Sequence, residues 1–148
     1  SGTQGMGVIL AENKSNAESI LEAFYATREK VIMQKFIREA KGADIRAFVV
    51  DGEIVGAMKR QAKPGDFRSN LHRGGTSELI TLTSQEEETA LKSVEILGLK
   101  IAGVDMLKTN SGPVVLEVNA SPGLEGIEGT TGVDIAGKII SFIEKNRK

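Results

Sequence analysis

Three oxygen-bearing side chains near the C-terminal end of the chain have the spacing of a cation site. Glu117 and Asn119 interrupt the apolar run VVLEVN two residues apart, and Ser121-Pro122-Gly123 ends it. Residues i and i+2 of a strand share a face, so carboxylate and carboxamide stand side by side where a loop begins. The preceding segment KIAGVDML is a second strand, and TNSGP between them is a turn. With that turn centred near Ser111, Asp105 falls opposite Glu117. Directly opposed Cβ atoms are about 5 Å apart, so Asp105, Glu117 and Asn119 converge, and the two carboxylates repel unless a cation separates them. An all-oxygen set without His or Cys suits magnesium or manganese, which keep waters and take remaining ligands from phosphate. A solvated hairpin face with chance acids is the plainer alternative.

A second cluster, MKRQAKPGDFRSNLHRGG, carries Lys59, Arg60, Lys63, Arg68 and Arg73 against one acid, Asp66. Arginine forks bind phosphate in a bidentate way, and Gly74-Gly75 would let backbone approach an oxyanion. A solvated basic loop would read the same way. His72 is a loop or supporting residue rather than a catalyst. The third feature, GTQGMG at residues 2 to 7, can wrap phosphate oxygens with backbone N–H groups, as could any flexible glycine-rich terminus. It is neither a dinucleotide fingerprint nor a Walker loop. Taken together, a phosphate loop, a basic loop and an oxygen-lined hairpin make a nucleoside triphosphate site.

The elements that must position these groups form an α+β pattern. MGVILAE (6 to 12) and VIMQKFI (31 to 37) are predicted as strands, with a helix from a Ser15/Glu18 capping box to about Glu29 between them. DIRAFVV and EIVGAMK flank Asp51-Gly52, which favours a type I′ hairpin. Ser84 and Glu87 open a helix over roughly 85 to 97, and an amphipathic helix over about 133 to 146 closes the chain.

Composition sets the remaining bounds. The 148 residues are 40% hydrophobic with a net charge of −1, enough for one domain or two small subdomains and without global attraction to nucleic acid or an anionic membrane. No cysteine is present, which excludes disulfides and thiolate metal sites. No apolar run reaches a membrane span, and the start lacks signal-peptide regions, so the expected location is the cytoplasm. Seventeen glycines, clustered near 2 to 7, 74 to 75 and 123 to 132, mark loops of close approach.

GTQGMGV, DIRAFVV, GDFRSNLHRGG, AGVDML and LEVNASPGLEGIEGTTG resemble the ATP-grasp ligases, specifically the RimK group that adds glutamate to the C-terminus of a small-subunit ribosomal protein. The resemblance runs along essentially the whole chain. It implies an ATP-grasp fold of two α+β subdomains with antiparallel sheets enclosing the nucleotide, here about residues 1 to 60 and 61 to 148. It places metal ligands at Asp105, Glu117 and Asn119, the set that hairpin geometry also selects. Main-chain groups of Lys35 and Phe36 would hold the adenine edge, framed by Gln34 and Ile37. Lys35 stands where relatives are often acidic. Asp44 matches a nucleotide-contacting acid, Arg68, Ser69 and Asn70 the loop near triphosphate and ribose, and Thr3, Gln4, Gly5 and Gly7 the lid over the phosphates. As plainer alternatives, Phe36 is a core residue and Asp44 merely precedes a strand.

The implied chemistry is amide formation through an acylphosphate, with ATP and two magnesium or manganese ions as cofactors and Arg60 and Arg68 stabilising the transferred charge. Implied partners are glutamate and a protein acceptor with a C-terminal carboxylate, with the parent as a homo-oligomer and no direct nucleic-acid or membrane contact. The family's N-terminal domain and phosphate-binding lysine precede the matching region, so the chain reads as a fragment. A ligase for another acceptor, a nucleotide-binding regulatory module and a metal-binding structural domain are the other readings.

Overall fold

The computed structural model describes residues 6 to 147. The chain divides into two compact units, the first ending at Ile37 and the second beginning at Arg38. In the first unit the described element is helix α1 (Lys14–Ala26). Ala17, Ile20, Leu21 and Phe24 form its half-buried stripe at helical spacing. Asn13, not Ser15, caps it, accepting from the Asn16 N–H at 2.9 Å. The expected capping box at Ser15 and Glu18 lies inside the first turns, where Ser15 cannot cap. Residues 6 to 12 and 31 to 37, expected as strands, are not strands. Apolar content signals a preference for burial, whereas a strand exists only through a ladder with a neighbour, which local pattern does not specify.

The second unit is an α+β body built on one antiparallel sheet of five strands in the order β3-β2-β1-β4-β5. These are β1 (Ala43–Val50), β2 (Glu53–Gln61), β3 (Thr76–Leu79), β4 (Ile101–Thr109) and β5 (Gly112–Asn119). The sheet runs unbroken across residue 60. The β1–β2 hairpin turns at Asp51 (φ 50°) and Gly52 (φ 79°), the paired left-handed conformation expected of Asp-Gly. Helix α2 (Ser84–Ile96) begins one residue earlier than expected: Thr83 and Glu86, rather than Ser84 and Glu87, make the reciprocal capping box, with bonds of 3.3 and 2.8 Å. Helices α3 (Glu125–Thr131) and α4 (Ile135–Lys145) follow β5.

Each face of the sheet has its own core. Ile45, Ala47, Val49, Ala57, Val104 and Met106 pack with Ala90 and Val94 of α2 on one side. On the other, Phe48, Val50 and Met58 meet Ile127 of α3 and Ile135 of α4. The strand period of two therefore puts Asp44 and Arg46 on the α3/α4 face, beyond the edge of its apolar cluster. Helix α3 arises from the glycine- and threonine-rich EGIEGTT, a weak helix former on propensity alone. It holds because Ile127 is fully buried and because Thr130 and Thr131 donate to the carbonyls of Gly126 and Ile127 at 2.7 Å.

Candidate active site

The polar face at the open end of β1, β2 and β4 is a chain of charge-assisted hydrogen bonds. Ser69 Oγ donates to Asp44 Oδ2 at 2.6 Å. Arg60 donates from Nε and Nη2 to the two oxygens of Asp44, both at 2.7 Å, and Nη2 also lies 2.9 Å from Asp105 Oδ2. Arg46 grips Asp105 in the same bidentate fashion, Nε to Oδ1 and Nη2 to Oδ2, each at 2.7 Å. The pairings follow from register: Asp44 lies opposite Arg60, and Arg46 opposite Asp105. Asp44, Arg60 and Asp105 are all buried, and such charges persist in a core only when matched and hydrogen-bonded. Desolvation opposes charge on Arg60, but Asp44 and Asp105 outweigh it and raise its pKa. Desolvation likewise works against Asp105 ionising, yet Arg46 and Arg60 hold its carboxyl below the usual carboxylate range.

Beyond Asp105 the row continues onto the edge strand. Glu117 stands opposite Asp105 and Asn119 opposite Gly103, and Asn119 Nδ2 donates to Glu117 Oε1 at 2.7 Å. The expected register of the oxygen trio is thus present, but its origin differs. The hairpin turns between Asn110 and Ser111, pairing Thr109 with Gly112 and Met106 with Val115. Taken alone, that turn would put Leu116 opposite Asp105. A register shift between Asp105 and Met106 leaves Leu116 as the extra residue and restores Glu117 to its place. The strand end is also fixed from outside: a Cβ on Gly103 would stand 2.9 Å from Pro122 Cβ, so Pro122 packs directly over β4.

The basic loop separates into parts. Arg68 is turned onto Asp66, with its backbone N–H and Nε donating to Oδ1 at 3.0 and 2.9 Å and Nη2 to Oδ2 at 3.2 Å. Its guanidinium also lies 5.2 Å from the Phe67 ring centroid. These hydrogen bonds from Arg68, with a further one from Arg73, hold the Asp66 carboxyl far below the usual range. Asn70 precedes a short 3-10 turn, Leu71–Arg73, that places His72 on the surface. Gly75 does not face an open anion pocket: a Cβ there would meet the carbonyl oxygens of Gln61, Ser69 and Asn70 at 2.9, 3.0 and 3.2 Å. Gly75 serves close packing of loop on strand, Gly74 supplies the left-handed φ of 84° that ends the turn, and carbonyl oxygens around Gly75 would repel an oxyanion.

The structure therefore joins Asp44, Arg60, Ser69 and Asp105 in one network and sets Glu117 with Asn119 beside it. Lys35, Phe36 and Gly7 belong to the first unit, where Phe36 is 45% exposed and Gly7 adopts φ 76° on the surface. Thr3, Gln4 and Gly5 lie outside the described residues. Arg46 is the functional candidate that sequence reading missed. Its signal was the strand period, which puts it on the same face as Asp44. Among the described residues no group of three His, Cys, Asp or Glu side chains could hold a metal, since the third oxygen donor here is the amide of Asn119. The donor chemistry fits a hard cation at exposed Glu117 with Asn119 beside it, whereas Asp105, opposite Glu117 across the ladder, has both oxygens engaged by Arg46 and Arg60.

The α+β body on its five-stranded antiparallel sheet has the fold of the ATP-grasp ligases. Residues 1 to 143 match the RimK-like ATP-grasp domain, and the chain belongs to that family. It is 56% identical over 147 residues to a probable alpha-L-glutamate ligase of Thioalkalivibrio sulfidiphilus, covering 99% of this chain and 49% of that protein. It is 58% identical over 145 residues to the probable alpha-L-glutamate ligase of Azotobacter vinelandii, covering 98% and 48%. The chain spans about half the length of these relatives. Among solved structures, the ATP-grasp ligase PsnB complexed with a phosphomimetic variant of its minimal precursor, Mg and ADP superposes with a TM-score of 0.60 at 25% identity, over 78% of this chain and 35% of that one. D-alanine–D-alanine ligase from Bacillus anthracis complexed with ATP shares the fold, with a TM-score of 0.65 at 23% identity over 90% of this chain and 46% of its own.

Proposed function

We propose that the protein containing this chain is an ATP- and magnesium-dependent carboxylate–amine ligase that adds glutamate to the C-terminal carboxylate of a protein, a small-subunit ribosomal protein being the acceptor the family suggests. The observation that carries the reading is the polar row from Ser69 through Asp44, Arg60 and Asp105 to Glu117 and Asn119. The glutamate-ligase relatives and the Mg- and ADP-bound PsnB complex support it.

In the proposed reaction an acceptor carboxylate oxygen attacks the γ-phosphorus of ATP and ADP departs. The glutamate amine then attacks the acyl carbon, inorganic phosphate leaves with the C–O bond pair, and the amine loses a proton. Asp105, Glu117 and Asn119 would hold the metal, two ions in this reading, which supplies positive charge against phosphate oxygens. Manganese is an alternative occupant. Lys35 and Phe36 take the adenine edge through their main chain, Asp44, Ser69 and Asn70 the nucleotide, and Thr3, Gln4, Gly5 and Gly7 the phosphate lid. Arg68, the more accessible of the two arginines, contacts the transferred group. Arg60, whose side chain is 7% exposed between two carboxylates, positions Asp105. The work takes place in the cytoplasm in a homo-oligomer. A second reading, a peptide other than a ribosomal protein as acceptor, is favoured by the PsnB complexes with precursor peptide.

Calorimetric titration with a nonhydrolysable ATP analogue, with and without magnesium, tests the site in wild type and in Glu117→Gln. Magnesium-dependent binding that the variant loses is the expected result. Binding indifferent to both magnesium and the substitution would overturn the metal assignment.

A further inference from the structure

We infer that the second unit carries, beside the polar row, a separate cleft that binds the acidic, glutamate-bearing end of a peptide. The inference rests on the ligase reading for the identity of its ligand, but its grounds are local. An open cavity of about 490 Å³ is lined by Lys41, Gln61, Lys63, Asp66, Gly74 and Thr76 among others. That volume is in the range of sites that take small ligands, enough for a few peptide units.

Charge matching sets the cleft apart. Four of the five basic residues between 59 and 73 already have carboxylates. Lys59 lies 2.8 Å from Glu78, Arg60 contacts Asp44 and Asp105, and Arg68 and Arg73 share Asp66. Lys63 alone has no ion pair among the described residues. Lys41, which also lines the cleft, has none among them either. Both are exposed. The only acid on the wall, Asp66, is engaged by two guanidiniums at 2.9 and 3.4 Å, so it does not cancel the lysines. The Lys63 stem passes beside Gly74, its Cδ 3.9 Å from where a Cβ on that glycine would stand. Gln61 donates through Nε2 to the Lys41 carbonyl at 3.1 Å, which ties that turn to β2.

Two point-charge ammonium groups on an open wall suit spaced carboxylates better than a bidentate phosphate fork, the task for which arginine is the better donor. Position agrees. Gln61 directly follows Arg60 on β2 and so points to the opposite face of the sheet, away from the row assigned to nucleotide and metal. An extended acidic chain can occupy the cleft while the row holds nucleotide. Each glutamate that the proposed reaction adds gives the product one more side-chain carboxylate, so the ligand class matches what such a ligase elongates.

The test titrates tetraglutamate, tetraglutamine and inorganic phosphate into this chain at low ionic strength, and into Lys41→Gln, Lys63→Gln and the double variant, with the ATP analogue measured in parallel. Tetraglutamate should bind, tetraglutamine should not, and affinity should fall about threefold to fivefold for each lysine removed, with ATP-analogue affinity unchanged. Equal binding of both peptides, unchanged tetraglutamate affinity in the double variant, or displacement of the peptide by phosphate at comparable concentration would overturn the assignment. So would a loss of ATP-analogue affinity in the double variant, which would make the lysines part of the nucleotide site. If the wild-type chain binds tetraglutamate through these lysines but no ATP analogue, the assignment of a nucleotide site within this chain falls and the cleft stands.

Discussion

Arg46 and Asp105 face each other across β1 and β4, joined by two hydrogen bonds of 2.7 Å, and Asp105 is 3% exposed. The expected metal ligand is thus also the hub of a buried ion network. Asp105→Asn would strip Arg46 of its carboxylate and leave Arg60 with Asp44 alone. Removing one partner of a buried pair costs about 3 to 5 kcal/mol, so this variant is expected to lower the midpoint of urea denaturation sharply before any effect on binding is read. A stability change under about 1 kcal/mol would show that water reaches these guanidiniums in solution.

Glu117 gives the cleaner probe of the metal set. It is exposed, and its hydrogen bond is to its strand neighbour Asn119. Glu117→Gln keeps shape and edge pairing, so stability should stay within about 0.5 kcal/mol. Magnesium-dependent affinity for an ATP analogue should drop at least about tenfold, because a charged oxygen ligand becomes a neutral one. Full retention of that dependence would remove Glu117 from the site.

The contrast between these two carboxylates shows how far the residues could be read. The two-residue spacing of Glu117 and Asn119 and the placing of Asp105 across the hairpin made the β4–β5 part of the polar face legible, and the Asp51-Gly52 hairpin formed as its dipeptide requires. Asp105 opposite Glu117 emerged from two offsetting departures: a turn displaced by half a residue and an extra residue at Leu116. Neither has a local signature, because a bulge is set by what both strand faces bury. The four-residue strand β3 and the glycine-rich helix α3 were missed for a related reason, since each owes its structure to tertiary partners: β2 for the first, Phe48 and Met58 around Ile127 for the second. Arg46 was passed over because a lone arginine in an apolar strand announces no partner. Its carboxylate lies 59 residues away.

Asp66 anchors the basic loop, and hydrogen bonds from Arg68 are the main reason its carboxyl is held below the ordinary range. A depressed folded-state pKa stabilises the protein above the unfolded-state value, about 3.9 for Asp, and the contribution is lost as pH falls through the folded-state value. The stability difference between wild type and Asp66→Asn should therefore be constant above about pH 5 and shrink below about pH 4. Denaturation followed at several pH values checks this. A difference that grows toward low pH would have the wrong sign for a salt-bridged carboxylate.

Gly75 makes the last test, because it separates packing from ligand binding in the same loop. A methyl group there would stand within 3.2 Å of three backbone carbonyl oxygens, those of Gln61, Ser69 and Asn70. Backbone cannot swing aside as a flexible side chain can, so Gly75→Ala should destabilise by about 1 to 3 kcal/mol, as overpacking typically does. The loss should be concentrated in residues 61 to 75, visible as faster amide exchange there while β4 and α2 stay protected. Ser69 depends on the same loop for its 2.6 Å bond to Asp44, so nucleotide affinity should fall with loop order, whereas Lys59, held by Glu78, should be unaffected. Unchanged exchange across the loop would mean that it relaxes around the methyl group and that the three carbonyls do not fix its path.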